Sequence, residues 1–129
     1  MQVKSLKLKK FINNNGTLIP FYLKDFKNFK VKRFFILHGK KNSIRGDHAH
    51  KKCTQIFIAV NGKINIEINK SKKKRYFLNT KNAKALVVPP LNWCKIHFLE
   101  KKSSVLVLCN VKFSENEYIR DYKKFINYT

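Results

Sequence analysis

Short runs of apolar and β-branched residues bounded by turn residues recur along the chain: TLIPFYL (17–23), KVKRFFIL (30–37), TQIFIAV (54–60), KINIEIN (63–69), RYFLNT (75–80), KALVVPP (84–90) and SVLVLCNV (104–111). At a spacing of roughly 10 to 15 residues, and with no long helical pattern between them, they predict an all-β sandwich or barrel rather than a βαβ fold. Between two of these runs, Asn61-Gly62 matches a two-residue type I′ turn, in which both central residues take positive φ. Counting outward from it pairs Ala59 with Ile64, Phe57 with Ile66 and Gln55 with Ile68, so these six share one buried face. Ile56 and Ile58 then oppose Glu67 and Asn65 on the other face, which calls for cover from an extra layer or a dimer partner.

Near the C-terminus the period changes. SENEYIRDYKKFINY offers Ser114 as an N-cap, acidic residues early, lysines late, and Tyr118, Ile119, Tyr122, Phe125 and Ile126 at helical spacing. A short terminal helix on the β core is expected, within a single domain spanning residues 1–129.

Composition narrows the setting. With 43% hydrophobic residues and 13% aromatics the chain has the apolar content to fold. Three cysteines without a CxxC pair suit a reducing cytoplasm better than a disulfide framework. The chain has no signal-like N-terminus and no apolar run of membrane-spanning length, so a membrane partner is not expected. Lys and Arg number 29 against 7 acidic residues, a net charge of +22 that favours anionic ligands in general. No helix-turn-helix, zinc finger or RNA-recognition signature accompanies it, and nucleic acid is not the expected partner. Lys70–Arg75, KSKKKR, reads as a solvated turn.

The chemistry concentrates in RGDHAHKKCTQ, residues 45–55. On a strand, residues i and i+2 face the same side, so His48 and His50 project together while Ala49 faces away. Asp47 alternates away from both and reads as a solvent or turn residue. His48, His50, four residues to Gln55 and six more to Gly62 reproduce the first cupin motif, with glutamine in place of its glutamate. A neutral amide there removes the anionic ligand that helps two imidazoles hold a divalent ion. The expected pocket holds no metal, and its histidines carry protons near neutral pH. A metal site built from His48, His50 and Cys94 or His97 is the alternative. Arg33 and Arg45 suit a diphosphate, which a guanidinium fork matches, and Trp93 reads as packing.

The stretch KRFFILHGKKNSIRGDHAHKKCTQIFIAVNGKINIEI, the downstream PP..W segment and the tail ENEYIRDYKKF together resemble the nucleotide-sugar 3,4-ketoisomerases, whose hallmark is RGxHAHKxxxQ with an NG turn and a YIRxYxxF tail. The resemblance runs over nearly the whole chain. It implies a small cupin-type jelly roll that needs no cofactor and forms a homodimer with exchanged N-terminal strands. It further implies an isomerase that interconverts dTDP-4-keto-6-deoxy-D-glucose and its 3-keto isomer, for 3-amino sugars of bacterial surface glycans. The matching positions are Arg33, Arg45, His48, His50, Lys51 and Gln55. Departures fall at Asn15, where many members have Arg, at Phe35 in place of Tyr, and at Cys94 in place of His or Arg. They touch the sugar pocket and leave the configuration at C4 of the product open, as the two histidines leave open which of them is the base. A non-catalytic cupin that binds a sugar nucleotide or glycan is the reading from another class.

Overall fold

The computed structural model describes residues 2–26 and 28–128, and Asp25 by its backbone alone. In chain order the described strands are β1 (Lys4–Lys7), β2 (Phe11–Asn13), β3 (Gly16–Leu18), β4 (Arg33–Gly39), β5 (Ile44–His50), β6 (Gln55–Asn61), β7 (Lys63–Asn69), β8 (Lys73–Asn79), β9 (Lys84–Val88), β10 (Trp93–Phe98), β11 (Ser103–Cys109) and β12 (Tyr118–Ile119), followed by helix α1 (Tyr122–Tyr128). One sheet has the order β1-β9-β6-β11-β4 and the other β12-β5-β10-β7-β8, with β2 and β3 apart as a hairpin. All neighbours are antiparallel.

Alternation along each strand decides what the sandwich encloses. Phe57, Leu86, Val105 and Val107 of the first sheet meet Ile64, Ile66, Leu78, Ile96 and Phe98 of the second in one core. Removing a ring such as Phe57 from such a core costs about 3–5 kcal/mol, the lost transfer energy plus the cavity left behind. The expected all-β sandwich with a short C-terminal helix is the observed architecture.

The Asn61-Gly62 hairpin does not form. β6 lies between β9 and β11, and β7 between β10 and β8, in opposite sheets, so the turn carries the chain across the sandwich. Gly62 takes φ +72°, whereas Asn61 stays outside the left-handed region that a type I′ turn demands of both residues. A Cβ on Gly62 would come within 2.8 Å of Ser103 Cα, so β11 packs directly on the turn. Phe57, Ala59, Ile64, Ile66 and Ile68 nevertheless share the core, as the alternation requires. A period of two fixes which side of a strand is buried but not whether its neighbour lies beside it or opposite it. The hairpin partner of β7 is β8, whose first residues, Lys73–Arg75, belong to the basic run read as a turn.

The outer face of β6 is covered from within the chain. Ile56, Ala85 and Val87 lie beneath Leu6, Leu8, Phe21, Phe26 and Phe29 of the N-terminal segment. On the opposite sheet Glu67 is buried beside Arg75, its Oε1 3.5 Å from the guanidinium Nε.

The C-terminal helix is shorter than the sequence pattern suggests. Ser114 precedes a 3-10 turn, Glu115–Glu117, without capping it through its side chain. Tyr118 and Ile119 are strand, paired with His50 and Ala49 of β5. Asp121 opens α1 instead, its Oδ1 accepting the Lys123 N–H at 2.9 Å. The apolar spacing from Tyr118 onward fits a helix on paper, but pairing with the free edge of β5 wins at its first two residues. Ile119 and Phe125 then close over Ala49 and Trp93 on the outer side of β5 and β10.

Candidate active site

The site is made by an irregularity in β5. Cys94 pairs with His48 and Lys95 with Gly46, so two residues of β10 oppose three of β5, and Ile96 then pairs with Arg45. In a regular strand Arg45 and His48, three apart, would face opposite sides. The extra residue of the bulge turns both into the sandwich. Gly46 (φ +82°) and Asp47 (φ +61°) carry it, and a Cβ on Gly46 would sit 3.1 Å from the Cys94 carbonyl oxygen. Asp47 leaves the histidine side and its Oδ1 accepts the Trp93 indole N–H at 2.9 Å. Trp93 is packing, in edge contact with Tyr122.

Between the sheets, at the β5 end, a cavity of about 280 Å³ is lined by Arg33, Phe35, Arg45, His48, Gln55, Cys94, Tyr118 and Arg120 among others. A larger cleft, about 520 Å³, lies against the β2–β3 hairpin, but the ionisable groups on its walls are lysines. The proton-transfer groups belong to the smaller one.

His48 and His50 stand nearly perpendicular, ring centres 5.0 Å apart, and the Tyr118 ring touches both, at 4.9 and 4.5 Å. His48 lines the cavity while His50 sits immediately behind it, buried. His50 Nδ1 lies 2.5 Å from Glu117 Oε1. The other carboxylate oxygen accepts the backbone N–H groups of Lys52 (2.7 Å) and Cys53 (3.0 Å). Burial disfavours the charged form of Glu117, but those two donors and His50 outweigh it and hold the carboxyl below the usual carboxylate range.

Both imidazoles are held neutral. Burial above all, then the repulsion a second proton on the His50 ring would bring and the Arg120 charge, lower His48 to about 4. Burial also lowers His50, although Glu117 pulls the other way. Burial pushes the Cys94 thiol up to about 12, so it presents S–H to the cavity. Gln55 is buried, its amide Nε2 3.5 Å from Cys109 Sγ.

The cavity is cationic. Arg33 is sandwiched between the Phe35 and Phe113 rings, at 4.7 and 5.2 Å, with Nη2 3.3 Å from the Tyr118 hydroxyl. Arg120 lies over the Tyr118 ring and is gripped on its outer side by Glu115. Among the described residues no carboxylate lies within 4 Å of Arg33 or Arg45, whereas Arg120 has Glu115.

Of the residues singled out in the sequence, Arg33, Phe35, Arg45, His48, Gln55 and Cys94 line the cavity and His50 backs it. Lys51 is not among the lining residues; its ammonium lies 5.9 Å from the Tyr128 ring centre, toward the C-terminal helix. His97 lies on the opposite side of β10 from Cys94, with Nε2 buried and unpartnered. Asn15 sits in the exposed β2–β3 turn, its N–H bonded to Asn13 Oδ1 at 2.8 Å, and does not reach the cavity of its own chain. The metal set of His48, His50 and Cys94 or His97 does not assemble; the one cluster of three ligating side chains among the described residues is His50, Cys53 and Glu117, within 4.8 Å of one another. Glu117, Tyr118 and Arg120 were not foreseen as site residues. Their signal was the YIR tail itself, which helical spacing disguised as a core-facing stripe.

A cupin-like β-sandwich with a neutral histidine pair and unpaired arginines around one cavity defines a class of small sugar-nucleotide isomerases. The model of the family described as FdtA, WxcM-like, C-terminal matches residues 1–129, and the chain belongs to that family. It is 30% identical over 99% of its length, and 93% of the relative's, to TDP-4-oxo-6-deoxy-alpha-D-glucose-3,4-oxoisomerase of Aneurinibacillus thermoaerophilus. A histidine-to-asparagine variant of the 3,4-ketoisomerase QdtA from Thermoanaerobacterium thermosaccharolyticum, in complex with TDP-4-keto-6-deoxyglucose, superposes with a TM-score of 0.89 at 29% identity, over 98% of this chain and 93% of QdtA. WlaRA, a TDP-fucose-3,4-ketoisomerase of Campylobacter jejuni, is 34% identical with a TM-score of 0.85, over 99% of this chain and 96% of WlaRA.

Proposed function

We propose that the protein is a 3,4-ketoisomerase acting on TDP-4-keto-6-deoxyglucose, with His48 as the base. The carrying observation is the neutral His48 imidazole on the wall of a cavity whose Arg33 and Arg45 have no carboxylate partner among the described residues. A hydrogen on C3, next to the C4 ketone, is acidic enough for an imidazole to remove. The C3–H bond breaks, an enediolate forms, and a proton returns to C4. The C3 hydroxyl proton passes to the C4 oxygen. C3 is oxidised and C4 reduced within one sugar, so the reaction is redox-neutral as a whole. Arg120, whose charge bears on His48, is placed to offset the enediolate charge, and Arg33 and Arg45 fit the diphosphate.

The assembly that goes with this reading is a homodimer with exchanged N-terminal strands. Phe11, Ile12 and Leu18 on the β2–β3 hairpin, and Phe34 and Ile36 on the edge strand β4, are apolar and exposed in the single chain, which supports a partner over them. His48→Asn tests the base assignment: the variant keeps its melting temperature within a few degrees, and turnover of TDP-4-keto-6-deoxyglucose falls about 100-fold or more. Unchanged turnover removes His48 as the base.

A further inference from the structure

Glu117 stands 67 residues from His50 and is brought to it where the chain enters β12 beside β5, its own carbonyl accepting the Lys51 N–H at 2.8 Å. Its two oxygens do different work. Oε2 is saturated by two backbone donors, the N–H groups of Lys52 and Cys53, and Oε1 faces the imidazole at 2.5 Å. The Glu117 side chain is 9% exposed and the His50 side chain 8%, so bulk water does not compete for the contact. An ionised carboxylate only accepts hydrogen bonds. Nδ1 must therefore be the protonated nitrogen, and neutral His50 keeps a lone pair on Nε2, which is buried and has no partner among the described residues.

We propose that Glu117 is a positioning residue, which locks His50 in the Nδ1–H tautomer so that Nε2 can only accept a proton. The inference rests on the proposed isomerisation. That reaction must move a proton from the C3 oxygen to the C4 oxygen while His48 works on carbon, and an imidazole acceptor directly behind the cavity suits the transfer. The opposite tautomer, with Nε2–H, has no acceptor to offer.

Glu117→Gln discriminates sharply because the amide can sit only one way round. The Lys52 and Cys53 N–H groups demand an acceptor, so the amide oxygen takes the place of Oε2 and the NH₂ faces His50 Nδ1. Nδ1 must then accept, and the proton moves to Nε2 with the fold kept. A structural role alone, in which Glu117 merely ties the C-terminal segment to β5, leaves the tautomer without consequence for catalysis.

The test is a long-range nitrogen-15 to hydrogen NMR spectrum of the imidazoles, together with kcat and KM for TDP-4-keto-6-deoxyglucose. The unaltered protein is expected to show His50 protonated on Nδ1. Glu117→Gln is expected to show the reverse, with kcat down at least about 100-fold and KM within a few-fold, and Glu117→Asp to recover part of kcat. Nε2–H in the unaltered protein overturns the proposal, even if Glu117→Gln fails to fold. Near-normal kcat in a folded, tautomer-reversed Glu117→Gln overturns it as well. No turnover by the unaltered protein removes the isomerase reading instead, and its tautomer spectrum still decides on Glu117.

Discussion

His48 is exposed to the cavity yet held at about 4, some way below the ordinary histidine value near 6.5. The groups around it are His50, Arg120, Asp47 and Tyr118, and burial dominates them. A base already neutral at pH 6 has an acid limb displaced downward, so kcat/KM is expected to hold to about pH 5 and to fall around pH 4. A limb at 6.5 would contradict the burial argument. The same shift has a stability sign. Between the folded and unfolded values the unfolded chain binds more protons, so stability falls as pH drops from about 6.5 to 4, and urea midpoints across that window should fall less in His48→Asn than in the parent. The HxH pair and Gln55 were legible at this scale because period-two alternation is a local rule. Glu117, Tyr118 and Arg120 were not, because they reach the histidines through a strand pairing formed by residues far apart in the chain. Asn15 carried no local sign that its turn would take it out of the cavity, whereas the alternation that turns Cys94 inward already puts His97, three residues on, on the far side of β10.

At the scale of elements, the bulge of β5 decides whether Arg45 and His48 act together. Gly46 permits it with φ +82° and by leaving room against the Cys94 carbonyl. Gly46→Ala is expected to cost about 1–3 kcal/mol of stability in urea titration and more activity than that loss of fold explains, since the register of the two side chains shifts with it. An alanine variant of unchanged stability and kcat would show the bulge to be incidental. Strand existence was readable here, and strand partnership was not. Asn61-Gly62 has the composition of a hairpin turn, yet β6 and β7 face each other across the core, both edges of β6 being taken by β9 and β11 and Ser103 of β11 packing on Gly62. TLIPFYL likewise yields a strand only at its start, since Pro20, two residues past the end of the short β3, cannot donate to a ladder.

For the whole molecule, two sheets of five strands enclose one core, and the N-terminal segment shields the outer face of β6. The apolar hairpin and the edge of β4 are among the apolar surfaces left exposed in the single chain. Sedimentation equilibrium is expected to give about twice the 15.3 kDa chain mass, and Ile12→Glu, at a side chain 72% exposed in the single chain, to shift it toward the monomer. A monomeric parent protein would set the exchanged-strand assembly aside without touching the cavity. No described helix is long and apolar enough to cross a membrane. In the proposed reaction a neutral His48 removes the hydrogen from C3 of a 4-keto sugar nucleotide, and the oxidation level moves between C3 and C4 without leaving the sugar. Proton NMR of TDP-4-keto-6-deoxyglucose incubated with the unaltered protein in deuterated water tests it most directly. The account predicts loss of the H3 signal, appearance of a 3-keto product and deuterium at C4, all dependent on His48. A substrate spectrum that stays unchanged with stoichiometric, folded protein would contradict it.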